Sequence, residues 1–208
     1  MGYDMTIENT PEDEAVSTQE AKAAFYTAAQ ERDRLDLPPD HPDALTAQAA
    51  VERAYDAMLT ADTSYFRLNI WGMGRYRELM DQFGMVVCDY DPPPWPHVPD
   101  DLTDEEVDEA ATAAPGAAIR PEVHSYLKQV ESHLSWHPEP VFGIALHKCC
   151  SNDGWLVTPE EITAALESYR THDNDEVRVL VGEDELDYWH QWITYLERAR
   201  HRGGFRIW

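Results

Sequence analysis

The sequence predicts an α+β fold: a mostly helical single domain with a small sheet and a proline-rich acidic segment in the middle. Apolar residues recur every three or four positions in several long segments, and this spacing is typical of amphipathic helices. Short alternating segments lie near both ends of the chain. Between them, residues 89–109 hold nine acidic residues, five prolines and no lysine or arginine. Strands scattered among more numerous helices are typical of an α+β domain.

The first elements are a strand and a helical hairpin. Tyr3, Met5 and Ile7 alternate with polar residues, as in a half-buried strand. A capping-box pattern from Ser17 to Glu20 predicts a helix over 17–35. Prolines interrupt it, and a second helix is predicted over 43–59. Its expected buried stripe consists of Ala47, Val51, Ala54, Tyr55, Met58 and Leu59.

The next elements lead into the acidic segment. A strand is predicted over 65–69, followed by a helix over 70–83 that Asn69 caps and that Gly84 ends in a left-handed conformation. The proline-rich part should be extended, whereas the sequence Thr103-Asp104-Glu105-Glu106 has a capping-box pattern that predicts a short acidic helix. We expect residues 110–118 to form a flexible connector.

The remaining chain predicts three helices and three short strands. The helices are expected over 121–135, from 158 to about 170, and over 183–201, and the strands over 141–146, 155–157 and 205–208. In the last helix the spacing predicts a buried face of Leu186, Trp189, Ile193 and Leu196.

Three stretches divide the chain by composition. They are an N-terminal helical and strand half (1–88), an acidic proline-rich connector (89–120) and a C-terminal α+β half (121–208). We expect the first and third to form one compact unit, because 208 residues suffice for one core.

The charge balance excludes some partners. The chain carries 40 acidic residues against 16 lysines and arginines, a net charge of −24. Such a chain repels phosphates, so we expect neither direct nucleic-acid binding nor binding to anionic membranes. A basic protein partner is the kind of partner that this charge favours. Most of this negative charge lies in residues 1–112, which hold 25 acids and 7 bases.

The expected cellular compartment follows from two features that the sequence lacks, a long apolar stretch and a secretory signal pattern. No apolar stretch approaches the roughly 20 residues of a membrane span. The N-terminus has no secretory signal pattern, and three cysteines suit a reducing compartment. We therefore expect a cytoplasmic protein with free thiols.

The candidate binding residues lie in the acidic segment. An aromatic residue among prolines either serves as an exposed anchor for a partner or holds its loop on the protein's own core, and Trp95 is open to both interpretations. The predicted partner-binding residues are Trp95, Asp100, Asp101, Asp104, Glu105, Glu106, Asp108 and Glu109.

Two other interpretations stay open. His133, His137, His147, Cys149 and Cys150 are residue types that bind zinc, although their spacing matches no known finger. A small metal-dependent hydrolase using His133, His147 and Cys149 is therefore the alternative function, while our expectation is that the protein has no cofactor and no catalytic residue. In a third interpretation the charge serves only solubility.

Three segments resemble small acidic proteins of actinobacteria and their phages. They are 65–73 (YFRLNIWGM), 151–160 (SNDGWLVTPE) and 203–208 (GGFRIW). The resemblance implies a high-GC bacterial or phage source and carries no activity and no catalytic residue. In that setting, the leading hypothesis is an interaction or inhibitor protein of the anti-defence, immunity or nucleic-acid-mimic type, which binds and blocks a basic nuclease, toxin or DNA-binding protein.

Overall fold

The computed structural model describes residues 2–114 and 116–208, with the side chain of residue 59 left aside. The strands are β1 (Gly2–Ile7), β2 (Tyr65–Asn69), β3 (Val86–Val87), β4 (Ile144–Ala145), β5 (Trp155–Val157) and β6 (Phe205–Ile207). The helices are α1 (Glu12–Arg34), α2 (Pro42–Ala61), α3 (Ile70–Gln82), α4 (Asp104–Ala111), α5 (Pro121–Leu134), α6 (Pro159–Tyr169), α7 (Asn174–Val181) and α8 (Leu186–Ala199). The predicted α+β class is confirmed.

The two ends of the chain meet in one antiparallel sheet. Its strand order is β2-β1-β6-β5, and Met5 lies opposite Ile207. A separate parallel pair joins β3 to β4. Because β1 and β6 are neighbours, the N-terminal and C-terminal halves of the chain share this sheet.

Local capping explains where several helices begin. The Asn69 side chain accepts a hydrogen bond of 2.7 Å from the backbone N–H of Gly72 at the start of α3. Thr103 and Thr158 form capping boxes at the starts of α4 and α6. These interactions satisfy N–H groups that the helix itself cannot pair. Short sequence patterns predicted the Asn69 cap and the Thr103 capping box correctly, whereas at Thr158 they predicted only the start of the helix.

The main core lies between one face of the four-stranded sheet and the helices α3, α6 and α8. Trp189 is completely buried there, and Trp192 and Tyr195 are almost so. The predicted face of α8 was partly wrong, since Leu186 and Ile193 are only half-buried against the core while Trp192 and Tyr195 point inward. Three large rings on one helix thus form the centre of the core.

Several other features differ from prediction, and strand β3 (Val86–Val87) was not predicted. Helix α1 begins at Glu12 rather than residue 17, and α8 begins at Leu186 rather than residue 183. Helix α7 was missed entirely. The predicted strand over 141–146 is only two residues long, because the chain turns into a 3-10 helix at Leu146–Cys149.

The hairpin of α1 and α2 contributes little to the core. No residue of α1 is buried. In α2, Val51 is the one buried residue among those whose side chains the structure describes, and Tyr55 of the predicted stripe is 45% exposed. The Leu59 side chain of the predicted stripe lies outside the described residues. The main contacts of α2 are with α1, and a pair of helices encloses less of its side chains than a core of several layers.

Within the described residues, no helix is both long and apolar enough to cross a membrane.

Candidate functional site

The acidic segment, residues 89–120, runs along α5. Val98 and Leu102 pack with Val123 and Tyr126 of α5 in a small second core, separate from the main one. Helix α4 completes this core with Val107. The described part of the acidic segment thus packs on α5 through Val98, Leu102 and Val107. The flexible connector expected over 110–118 includes residue 115, which lies outside the described residues, and its flexibility stays a prediction.

Arg120, the residue before α5, neutralises part of the acidic charge. Its guanidinium lies 2.7 Å from a carboxylate oxygen of Glu106 and 3.2 Å from one of Asp101. Glu106 also accepts a hydrogen bond from the backbone N–H of Thr103, and this bond, with that of Arg120, lowers its pKa. Asp101 and Glu106 therefore serve the local fold, although the sequence placed them among the partner-binding residues.

The other acidic residues of α4 are exposed and unpaired. Asp104, Glu105, Asp108 and Glu109 share the solvent side of the helix, and in the part of the chain that the structure describes none of them takes part in an ion pair. We call these four residues the acidic face. Asp100 is exposed beside them, ahead of the helix.

Trp95 lies at the far end of α5 from the acidic face. Arg120 contacts α4, and His133 contacts Trp95. The two residues are 13 positions apart, which corresponds to about 20 Å along the helix axis. The Trp95 ring centroid is 4.4 Å from that of His133, yet 51% of the residue is exposed. Trp95 thus holds the segment on α5 and also shows a free surface to solvent. The structure does not bring Trp95 and the acidic face together.

Two histidines and two tryptophans form a cluster where α5 meets β5. The Trp155 ring lies 4.8 Å from the rings of both His133 and His147, and the Trp95 ring contacts His133 in a tilted arrangement. The Nε2 atom of His133 and both ring nitrogens of His147 are buried without a hydrogen-bond partner among the described residues. Burial, helped by the nearby Lys148 charge, lowers the pKa of His147 to about 4. Burial also lowers the pKa of His133, so both imidazoles are neutral at pH 7.

This cluster does not supply the three ligands of the alternative metal site. Cys149 is 1% exposed within the main core, and burial raises the pKa of its thiol to about 12, which disfavours the thiolate that binds metal. Within residues 2–114 and 116–208, no three His, Cys, Asp or Glu side chains are placed to hold a metal ion together. The geometry therefore gives no support to a hydrolase built on His133, His147 and Cys149.

A buried ion pair was not predicted from the sequence. Lys148 Nζ lies 2.7 Å from Glu161 Oε2, and both side chains are fully buried. The ammonium also donates to the Leu156 carbonyl, while Glu161 accepts from the backbone N–H groups of Ala145 and Thr158. Desolvation lowers the pKa of Lys148, and the attraction of Glu161 opposes this. The pair joins the 3-10 turn, β5 and α6, and it has no open path to a substrate.

A cavity of about 640 Å³ lies between α1 and the outer face of the sheet. Its walls include hydroxyl groups of Thr6, Thr18 and Ser64. The Lys22 ammonium reaches it too, but Asp62 neutralises this charge at 2.8 Å. The cavity is roomy enough for a small polar molecule, yet its lining holds no cysteine or histidine and no nucleophile paired with a base.

Neither the family models nor the curated proteins match this sequence, and no solved structure matches the fold. Functional inference therefore depends on the geometry described above.

Proposed function

We propose that this protein is an acidic interaction protein that binds and blocks a basic surface of a protein partner through the acidic face of α4. The observation that carries this proposal is that four carboxylates, Asp104, Glu105, Asp108 and Glu109, are exposed on one side of a short helix, and no cation among the described residues forms an ion pair with them. A row of unpaired charges attracts an opposite charge at long range and speeds association.

The order of α4 strengthens the proposal. The helix begins in a capping box, packs on α5 and is joined to Arg120 by Glu106. Side chains on an element that is already ordered lose less conformational entropy when a partner binds. The paired residues Asp101 and Glu106 thus support the helix, while the unpaired ones remain available for contact.

Trp95 and Asp100 extend this surface along α5. A partner long enough to cover both ends of α5 would meet the exposed half of Trp95, and in that case the ring would act as an apolar contact beside the charged one. A nuclease, a toxin or a DNA-binding protein presents a basic surface of this kind. A chain that occupies such a surface acts as a nucleic-acid mimic, which is one form of an anti-defence or immunity role in a phage or bacterial setting.

A charge-matched pair of variants tests the proposal. Glu105→Gln/Glu109→Gln removes two charges from the acidic face, and Glu12→Gln/Glu20→Gln removes two equally exposed charges from α1. The probe is a synthetic decalysine peptide, and its affinity is measured by calorimetry at 0.01 M and 0.1 M salt. We expect the α4 variant to bind about fivefold more weakly at low salt, since two exposed contacts are lost at roughly 0.5 kcal/mol each.

The control variant should lose less than about twofold, and the difference should shrink at 0.1 M salt, where the Debye length is about 10 Å. Equal losses in both variants would mean that only net charge matters. The interpretation in which acidity serves solubility alone would then replace the proposal.

A further inference from the structure

The three most exposed of the large apolar side chains that the structure describes lie around one arginine. They are Trp71 at 87%, Val179 at 81% and Tyr188 at 66%. Trp71 is one helical turn before Arg75 on α3. Arg75 contacts Leu180 and Glu185. Val179 is the residue before Leu180, and Tyr188 is three residues after Glu185. Scattered apolar residues on a surface are normal, but a group of the most exposed ones points to an interaction site.

Arg75 holds this surface together. Its Nε donates to the Glu185 carboxylate at 3.2 Å, and its Nη2 donates to the carbonyl oxygen of Leu180 at 3.0 Å. The guanidinium thus joins α3 to the connection between α7 and α8. The side chains on these three helices are held on a fixed frame, and a fixed frame reduces the entropy that binding costs. We call Trp71, Val179 and Tyr188 the Arg75 surface.

Acidic residues border the Arg75 surface. The surrounding carboxylates are those of Glu78, Glu183, Asp184, Glu185 and Asp187. The cations are Arg75 and Arg178, each already in an ion pair. Five carboxylates against two guanidiniums leave a net charge of −3. An occupant must therefore combine an apolar stripe with positive charge on both sides of it.

We infer that the Arg75 surface is a docking site for a basic amphipathic helix of a protein partner. Such a helix presents apolar residues along one face and lysines or arginines beside them, which matches an apolar centre with an acidic border. A second copy of this chain is the wrong occupant, because it would bring another −24 charge and the same acidic border against the first. An anionic membrane is disfavoured for the same reason.

This inference goes beyond the proposed function, because it concerns another part of the molecule. The acidic face lies on α4, which packs on α5, and α5 contacts the β5 side of the sheet through His133 and Trp155. The Arg75 surface belongs to α3, α7 and α8, which surround the main core. One partner region could occupy either site without the other.

The test uses an 18-residue synthetic peptide of leucine and lysine, with leucines at i, i+3, i+4 and i+7 and lysines elsewhere. A scrambled peptide of the same composition is the control. We expect the full-length protein to bind the patterned peptide at least tenfold more tightly in calorimetry. Trp71→Ala should remove that advantage, because truncating a central tryptophan contact typically weakens binding by tenfold or more. Phe142→Ala removes an aromatic ring that is 64% exposed outside this surface, and should change the affinity less than twofold.

Several outcomes would overturn the inference. Unchanged affinity in Trp71→Ala, or equal affinity for both peptides, would show that the surface does not recognise a patterned helix. A dimer in sedimentation that Trp71→Ala dissociates would assign the surface to a second copy, and binding to phosphatidylglycerol vesicles that needs Trp71 would assign it to a membrane. If Glu105→Gln/Glu109→Gln abolishes peptide binding and Trp71→Ala does not, the peptide binds at α4, and the inference fails while the proposed function stands. Thermal melts identify a folding defect, which we do not expect from so exposed a residue.

Discussion

Helices α1 and α8 show that the length of a helix and its contribution to stability are separate properties. α1 has 23 residues and buries none of them, whereas α8 has 14 and buries Trp189, Trp192, Tyr195, Leu196 and Ala199. Burial of apolar surface is the main favourable term in folding, at roughly 25 cal/mol per Å². The core around α8 should therefore fold as one cooperative unit, while the hairpin of α1 and α2 should open at a much smaller free energy.

The largest expected effect comes from Trp189→Ala. The side chain is fully buried and its ring lies 5.4 Å from Tyr76 and 5.3 Å from Phe83. Removing it leaves a cavity and costs about 3 to 5 kcal/mol, a large part of the ~5 to 15 kcal/mol that a domain has. Thermal and urea melts measure this loss.

Two aromatic substitutions serve as controls for Trp189→Ala. Tyr55→Ala, in the hairpin, should cost about 1 kcal/mol, because Tyr55 is 45% exposed and contacts mainly Phe25. Trp95→Ala should also lower the free energy of unfolding less than Trp189→Ala does, because Trp95 is 51% exposed. If Tyr55→Ala unfolds the protein, the hairpin belongs to the cooperative core and the contrast with α8 is wrong.

The next effect concerns the buried pair of Lys148 and Glu161. Lys148→Met leaves the Glu161 carboxylate buried without its cation, which costs about 3 to 5 kcal/mol. The double variant Lys148→Met/Glu161→Leu removes both charges and should recover part of this loss, although α6 then lacks its capping-box glutamate. Chemical denaturation of the two single variants and the double variant gives the coupling. If the double variant is no more stable than Lys148→Met, then losing the capping bonds of Glu161 costs at least as much free energy as removing its buried charge returns.

A smaller effect depends on pH and separates the His147 cluster from the rest of the core. The folded pKa of His147 is about 4, below its ordinary value of 6.5, so between these pH values the unfolded chain binds a proton that the folded chain does not. The protein therefore loses stability as pH falls from 6.5 towards 4, by about 1 to 3 kcal/mol. Because carboxylates also titrate there, the measurement is the difference in unfolding free energy between wild type and His147→Gln at pH 7 and pH 4.5.

Wild type should lose more stability over this range than His147→Gln, and the exposed His190→Gln should follow wild type. Parallel curves for wild type and His147→Gln would contradict the neutral, buried state of this imidazole.

The smallest effect concerns the attachment of α1. Arg202 makes two hydrogen bonds of 2.7 Å to Glu14, which also accepts one from Thr63 and has a pKa lowered to about 2 by these contacts. Glu14→Gln should cost about 1 kcal/mol or less, because the pair is partly exposed. Its main consequence should be faster amide hydrogen exchange in α1, with exchange in α8 unchanged. Glu12→Gln, which breaks no such contact, should leave exchange in both helices as it is.

The elements predicted well are those that neighbouring residues decide. Asn69, Thr103 and Thr158 cap their helices by bonds to residues three positions on, so a short pattern contains the whole interaction. The alternation in β1 likewise reports which side chains face the core. The short acidic helix α4 was predicted for the same reason, because its capping box lies within four consecutive residues.

What the sequence by itself determined is therefore the class of the fold, most helix positions and the sign of the charge. The tertiary structure alone decided which residues pair across long separations: Glu14 with Arg202, 188 positions apart, Lys148 with Glu161, and Arg75 with Glu185. It placed the start of α1 ahead of the Ser17 pattern, turned Trp192 and Tyr195 inward, and brought Leu180 and Glu185 to Arg75, one helical turn from the exposed Trp71. The physical reason is that local patterns report backbone hydrogen bonding, whereas burial and ion pairing depend on which distant elements the folded chain brings into contact.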